Sequence, residues 1–209
     1  MLVALVLAGC SASQGDSGDL PPMPPTATLV PATPVPQSQG AEEPAADLEG
    51  DLLDPIEDGQ EVEAGDRRYS IVIPEFWVRG TAPSADIAYR ESGGTTVDHG
   101  YAYNVMREDL AGDVDDAWAY AEAGRQAAEE TLPEVETMSF EPVRVGTIQG
   151  VRWVYTSRLT NDTVMVHQVY IVDGGTGFLL TGSAPADGDL DAAHELFDSI
   201  SGSFSFPRG

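Results

Sequence analysis

The chain has 209 residues and a formal net charge of -25, from 35 acidic and 10 basic side chains, and every basic one is arginine. This length allows one domain with an appendage rather than two full domains. Nucleic-acid binders use Lys and Arg to displace counterions from phosphates, so we expect no DNA or RNA partner. Cys10 is the only cysteine, which excludes an intramolecular disulfide and leaves stability to a packed core.

The first ten residues are a short apolar run that ends in Leu7-Ala8-Gly9-Cys10. This tetrapeptide resembles the lipobox of bacterial lipoproteins. The resemblance implies cleavage after Gly9, a diacylglycerol thioether on Cys10, and attachment to membrane lipid on the extracytoplasmic face of the cell membrane. The alternative is a lone structural cysteine. Because the run is short and no charged residue precedes the cysteine, we expect residues 1–10 to be a truncated signal peptide whose translation starts upstream.

Residues 11–66 are dominated by Pro, Ala, Ser, Thr, Gly and acids, and they show no apolar periodicity. Proline favours extended backbone, and the other residues bury too little apolar surface to offset the entropy of ordering. Residues 42–66 carry acids without one base, so charge repulsion extends them further. We predict a disordered linker with an rms reach on the order of 45 Å. Residues 24–36 are alternatively a ligand for a proline-binding partner.

A folded domain is predicted over residues 67–207, which contain every tryptophan. The run 69–73 alternates and is β-branched, so it predicts a strand that ends at Pro74. Residues 86–91 and 100–108 predict two further strands. Together these three strands favour a hairpin meander at the start of the domain.

The remaining pattern predicts two helices with strands between them. Asp113 is expected to cap the first helix, which ends before Pro133. Asp187 or Asp189 caps the second helix, and residues 203–206 close the chain as a short strand. Four runs rich in β-branched and aromatic residues, separated by turn signals, predict the intervening strands: 136–145, 151–160, 163–172 and 177–183.

Strands and helices in this order, without regular βαβ alternation, predict an α+β domain with an antiparallel β-sheet flanked by helices. Particular runs carry a family resemblance: 69–74 followed by Trp77, the first helix, 150–152, 177–181 and 197–204. With them the domain resembles the PsbP-like superfamily, which has the Mog/PsbP fold, an α/β/α sandwich. The domain resembles particularly its bacterial envelope branch, the DcrB and LpqN-type lipoproteins.

The sequence shows no catalytic motif. There is no G-x-S-x-G elbow around a serine, and Cys10 lies outside the predicted domain. His99, His167 and His194 stand at no metal-ligand spacing from one another or from a cysteine. We therefore predict that the protein is not an enzyme and has no metal site and no cofactor, and that the histidines are structural or lie on the surface.

The superfamily resemblance implies a non-catalytic module that binds or scaffolds another protein of the cell envelope. Aromatic side chains concentrate binding energy at interfaces, although each ring alternatively belongs to the core. The candidate contact residues are Phe76, Trp77, Tyr101 and Tyr103.

The competing hypothesis is an apolar small-molecule binder, for a lipid or pigment, or a weak enzyme that uses a cavity between sheet and helices. Trp118, Trp153 and Phe178 are the candidate lining residues. Apolar pockets with few polar groups suit such ligands. An open cavity lined by these three rings would favour this hypothesis over partner binding.

Overall fold

The computed structural model describes residues 50–92, 100–110, 112, 114–159 and 162–207, and of Leu159 the backbone alone. Outside the described residues lie Gly9, Cys10, His99, Asp113 and residues 11–49 of the predicted linker. The elements of the described part are β1 (Asp51–Leu52), β2 (Gln60–Glu63), β3 (Ser70–Ile73), β4 (Trp77–Arg79), β5 (Ala85–Glu91), β6 (Ala102–Asp109), α1 (Ala117–Thr131), β7 (Glu136–Val145), β8 (Ile148–Leu159), β9 (Asp162–Asp173), β10 (Thr176–Pro185) and α2 (Leu190–Gly202).

Eight of these strands form one sheet in the order β1-β7-β8-β9-β10-β6-β5-β4, and β2 pairs with β3 in a separate hairpin. All pairs are antiparallel except β1 with β7. Gly146 connects β7 to β8 and Gly174 connects β9 to β10, with φ of 59° and 57°, a backbone conformation that glycine adopts at no steric cost. The predicted α+β class, an antiparallel sheet flanked by helices, is confirmed.

The two faces of the sheet carry different layers. Alternate side chains along β8, β9 and β10 face α1 and form the α1 core, which includes Trp153, Tyr170 and Leu179. The intervening side chains, such as Phe178, face α2 and the β2–β3 hairpin. Together with Phe197 of α2 they form the α2 core. Because β9 and β10 are covered on both faces, they are buried over most of their length.

The folded part starts before the predicted boundary at residue 67. β1 and β2 both lie inside the predicted linker 11–66, and Leu53 and Ala64 are buried. The Leu53 amide donates to the Arg144 carbonyl at 2.9 Å. The prediction was wrong for residues 50–66, because each strand there is short and acidic and owes its structure to the neighbour it pairs with.

Helix capping differs from the prediction at one helix and agrees at the other. The N-cap of α1 is Asp116, which accepts a hydrogen bond from the Ala119 amide at 2.8 Å, so the helix begins after the predicted cap. The N-cap of α2 is Asp189 rather than Asp187.

The predicted closing strand 203–206 is reduced to a single bridge between Ser205 and Ser70. Neither described helix is long and apolar enough to cross a bilayer.

A close contact between Gly182 of β10 and the ring of Phe197 fixes the distance between α2 and the sheet. A Cβ atom at Gly182 would stand 2.4 Å from the nearest ring carbon, and Phe197 is fully buried. The absence of a side chain at Gly182 therefore allows the ring to lie flat on the strand. Any larger residue must push α2 outwards or distort the ring.

We predict that Gly182→Ala lowers the free energy of unfolding by about 1–3 kcal/mol, because it overpacks the α2 core. Gly65→Ala is the matched control, since no atom lies within 4 Å of the position a Cβ would take there. Urea denaturation of the full chain measures both. Equal midpoints for the two variants would show that the close contact does not constrain α2.

Candidate functional site

The predicted contact aromatics are not all on the surface. Phe76 is 75% exposed, but Trp77 is 7% and Tyr103 1% exposed, contrary to the expectation for exposed contact residues. Trp77, the first residue of β4, packs into the α2 core. Tyr103 faces α2 from β6, and its hydroxyl lies 2.7 Å from the hydroxyl of Ser201. Tyr101 is half-buried, with its ring packed edge-on against Phe197.

Phe76 belongs to a small apolar surface at one edge of the sheet. We define the β4 edge as Phe76 and Val78, which are 75% and 40% exposed, with the exposed arginines Arg79 and Arg90 beside them. Val78 pairs with Arg90 across β4 and β5. Among the described residues, β4 is the outermost strand of the eight-stranded sheet. The Trp77 amide donates to the Pro74 carbonyl, and the Trp77 carbonyl accepts from the Gln60 side chain.

The cavity of the competing hypothesis does not form from the predicted residues. Trp153 lies in the α1 core and Phe178 in the α2 core, so the sheet separates the two rings. Trp118 is 37% exposed and packs edge-on against Phe140, with ring centroids 4.9 Å apart. These three rings therefore cannot line one pocket.

A buried ionic network lies on the α2 face of the sheet. We call Asp198, His167, Arg152, Glu141 and His194 the Asp198 network. Asp198 Oδ1 lies 2.8 Å from His167 Nε2 and Asp198 Oδ2 lies 2.5 Å from an Arg152 guanidinium nitrogen. Arg152 also donates to Glu141 at 2.5 Å. His194, one helical turn before Asp198, places Nε2 3.6 Å from Asp198 Oδ2.

Three elements bring these side chains together. Arg152 and His167 come from β8 and β9, at positions whose side chains face α2. His194 and Asp198 share one face of α2 because they are four residues apart. His167 is fully buried, and the side chains of His194 and Asp198 are 34% and 20% exposed. The network thus has one fully buried end and one end that solvent can reach.

Protonation in the network follows from burial and charge. Burial lowers the pKa of His167, which outweighs the opposing effect of Asp198. Burial raises the pKa of Asp198, but hydrogen bonds and charges from His167 and Arg152 outweigh this and lower it overall. We infer a neutral His167 that donates through Nε2–H to an ionised Asp198. Its Nδ1 is buried and has no hydrogen-bond partner among the described residues.

The Asp198 network combines charged groups with imidazoles that can bind a metal ion. In the described residues it lacks the nucleophile of a hydrolytic triad. Nucleophilic catalysis needs a hydroxyl or thiol within hydrogen-bond reach of the base. Within the described part of the chain, each histidine has Asp198 as its only polar partner. The network was missed from sequence because His167 is distant from α2 along the chain. The His194 and Asp198 spacing was the one local signal.

We predict that Arg152→Met destabilises the fold by about 2–3 kcal/mol, because it leaves two partly buried carboxylates without their shared cation. Arg158→Met is the matched control, since Arg158 pairs with Glu134 at an exposed site and contributes less than about 1 kcal/mol. Chemical denaturation of the full chain measures both. A loss for Arg152→Met no larger than that of the control contradicts this prediction.

Comparison with known proteins gives similarity of fold. No family model and no curated protein matches this chain. The solution structure of cyanobacterial PsbP (CyanoP) from Synechocystis is 16% identical, covers 73% of this chain and 94% of its own, and has a TM-score of 0.52. A mutant of protein Mog1 is 11% identical, covers 71% of this chain and 96% of its own, and has a TM-score of 0.55. LpqN, described as involved in cell envelope biogenesis of Mycobacterium tuberculosis, is 15% identical, covers 71% of this chain and 90% of its own, and has a TM-score of 0.53. The described domain therefore has the PsbP/Mog fold.

Proposed function

We propose that this protein is an extracytoplasmic lipoprotein, anchored through Cys10, whose domain is a non-catalytic module that binds another protein of the cell envelope. The observation that carries the binding part is the exposure of Phe76, in the turn before β4, and of Val78 on β4 itself. The anchor part rests on the tetrapeptide Leu7-Ala8-Gly9-Cys10. Neither part needs a catalytic group.

The N-terminal sequence supports attachment to membrane lipid. A lipobox cysteine receives two acyl chains through its thioether, and each buried methylene contributes about 0.8 kcal/mol, so two chains give lasting attachment. The Pro-rich and acidic residues that follow suit a spacer between lipid and domain. LpqN, a protein of this fold, is described as involved in cell envelope biogenesis, which agrees with an envelope role.

The β4 edge supports protein binding rather than membrane binding. Phe76 and Val78 present apolar area of the kind that interfaces bury at their centre. Arg79 and Arg90 stand at the border of this area, in a chain with a net charge of -25. A partner segment with apolar residues flanked by acids complements this surface.

Photo-crosslinking in native cells tests the proposal. Photoreactive benzoyl-phenylalanine replaces Phe76 in one full-chain variant and Gln126, which is exposed on α1, in a control. We expect a discrete protein adduct from position 76 and none from position 126. Combining the Phe76 replacement with Cys10→Ser should move the protein from the membrane pellet to the soluble fraction and abolish the adduct.

Each half of the proposal fails separately in this experiment. Membrane-bound protein that gives no adduct at position 76, or the same adducts at both positions, contradicts partner binding at the β4 edge. A Cys10→Ser variant that remains in the membrane pellet contradicts the lipid anchor.

A further inference from the structure

His167, His194 and Asp198 converge at the seam between α2 and the sheet, and nothing in the proposed partner-binding role uses them. One donor atom from each side chain lies within 4.8 Å of the other two. The two imidazole centroids are 5.3 Å apart. Because His194 and Asp198 are fixed by one helical turn and His167 by a buried strand, the donors are positioned before any ligand arrives.

We propose that His167, His194 and Asp198 form a binding site for a divalent transition-metal ion of the zinc class. Ions of the zinc class bind imidazole nitrogen as well as carboxylate oxygen, whereas Mg²⁺ and Ca²⁺ take oxygen ligands. Two imidazoles and one carboxylate therefore favour an ion of the zinc class. Three protein ligands leave a fourth position for water on the side where His194 and Asp198 reach solvent.

The contacts of the two imidazoles suit metal binding. Both rings lie against one carboxylate, with His167 Nε2 2.8 Å from Asp198 Oδ1 and His194 Nε2 3.6 Å from Asp198 Oδ2. Both rings have the same carboxylate as their only polar partner, and the Nδ1 atoms of both are buried without one in the described part of the chain. A single ion coordinated by both Nε2 atoms and Asp198 Oδ1 would replace the hydrogen bond between His167 and Asp198, and the proton of His167 would move from Nε2 to Nδ1.

Arg152 and Glu141 form the shell outside the ligands. Arg152 contacts Asp198 Oδ2, so an ion would take Oδ1 in place of its present partner, His167 Nε2, and Glu141 compensates the guanidinium charge. With neutral imidazoles, Arg152, Glu141 and Asp198 sum to a charge of -1, which favours a cation. Carboxylate ligands that are oriented by a second hydrogen-bonding group are the usual arrangement in metal sites.

Calorimetric titration of the full chain with Zn²⁺ tests the site, with excess Ca²⁺ present to occupy the exposed acids. We expect one Zn²⁺ per chain, and His194→Gln should weaken binding by about tenfold or more. Asp191→Asn removes an exposed acid from the same helix and should leave the affinity unchanged. Circular dichroism of each variant without metal confirms that it is folded.

A second measurement on the unmodified chain keeps the test decisive if a variant fails to fold. Imidazole ¹⁵N spectra should show that Zn²⁺ shifts the signals of both His167 and His194. No Zn²⁺ binding in the presence of Ca²⁺, equal affinity for His194→Gln and the unmodified chain, or unchanged His167 and His194 signals would overturn the proposal.

Discussion

The carboxylate of Asp198 is the constraint on which the arrangement of α2 depends. A charge buried beneath a helix is costly unless it is paired and hydrogen-bonded, and Asp198 is paired by Arg152 from β8 and His167 from β9. One residue earlier, the Phe197 ring lies flat on Gly182. Polar and apolar contacts from adjacent residues therefore fix the same helix at the same height above the sheet.

The Asp198 network and the β4 edge lie apart from each other in the domain. The Asp198 network sits over β8 and β9, whereas Phe76 and Val78 lie at β4, and β10, β6 and β5 separate them. At about 4.8 Å per strand the two regions are roughly 20 Å apart. A partner bound at the β4 edge and an ion bound at α2 would therefore occupy the domain without contact.

The sequence predicts the long elements well and the short ones poorly. Strand β7 agrees with the predicted run 136–145, because a long β-branched and aromatic run bounded by turn residues has a local cause. β1, β2 and β4 have two to four residues each and depend on a distant neighbour for their hydrogen bonds. Composition alone assigned β1 and β2 to the linker.

The site was less predictable than the fold for the same reason. Phe76 and Trp77 are adjacent and chemically alike, yet Phe76 lies exposed in the turn before β4 and Trp77, the first residue of β4, is buried. His167 looks like one polar residue in an apolar strand until the packing of α2 brings Asp198 to it. Residues from different strands and helices that meet in the fold show no regular spacing in the sequence, so their contact could not be predicted from it.

The protonation of His167 tests most directly the claim that Asp198 organises this face of the domain. Long-range ¹H–¹⁵N spectra of the full chain, freed of metal with a chelator at neutral pH, distinguish the imidazole states. A neutral ring protonated at Nε2, with Nδ1 unprotonated, is the predicted result. A doubly protonated imidazolium, or a neutral ring protonated at Nδ1, would contradict the hydrogen bond from His167 to an ionised Asp198 on which the network rests.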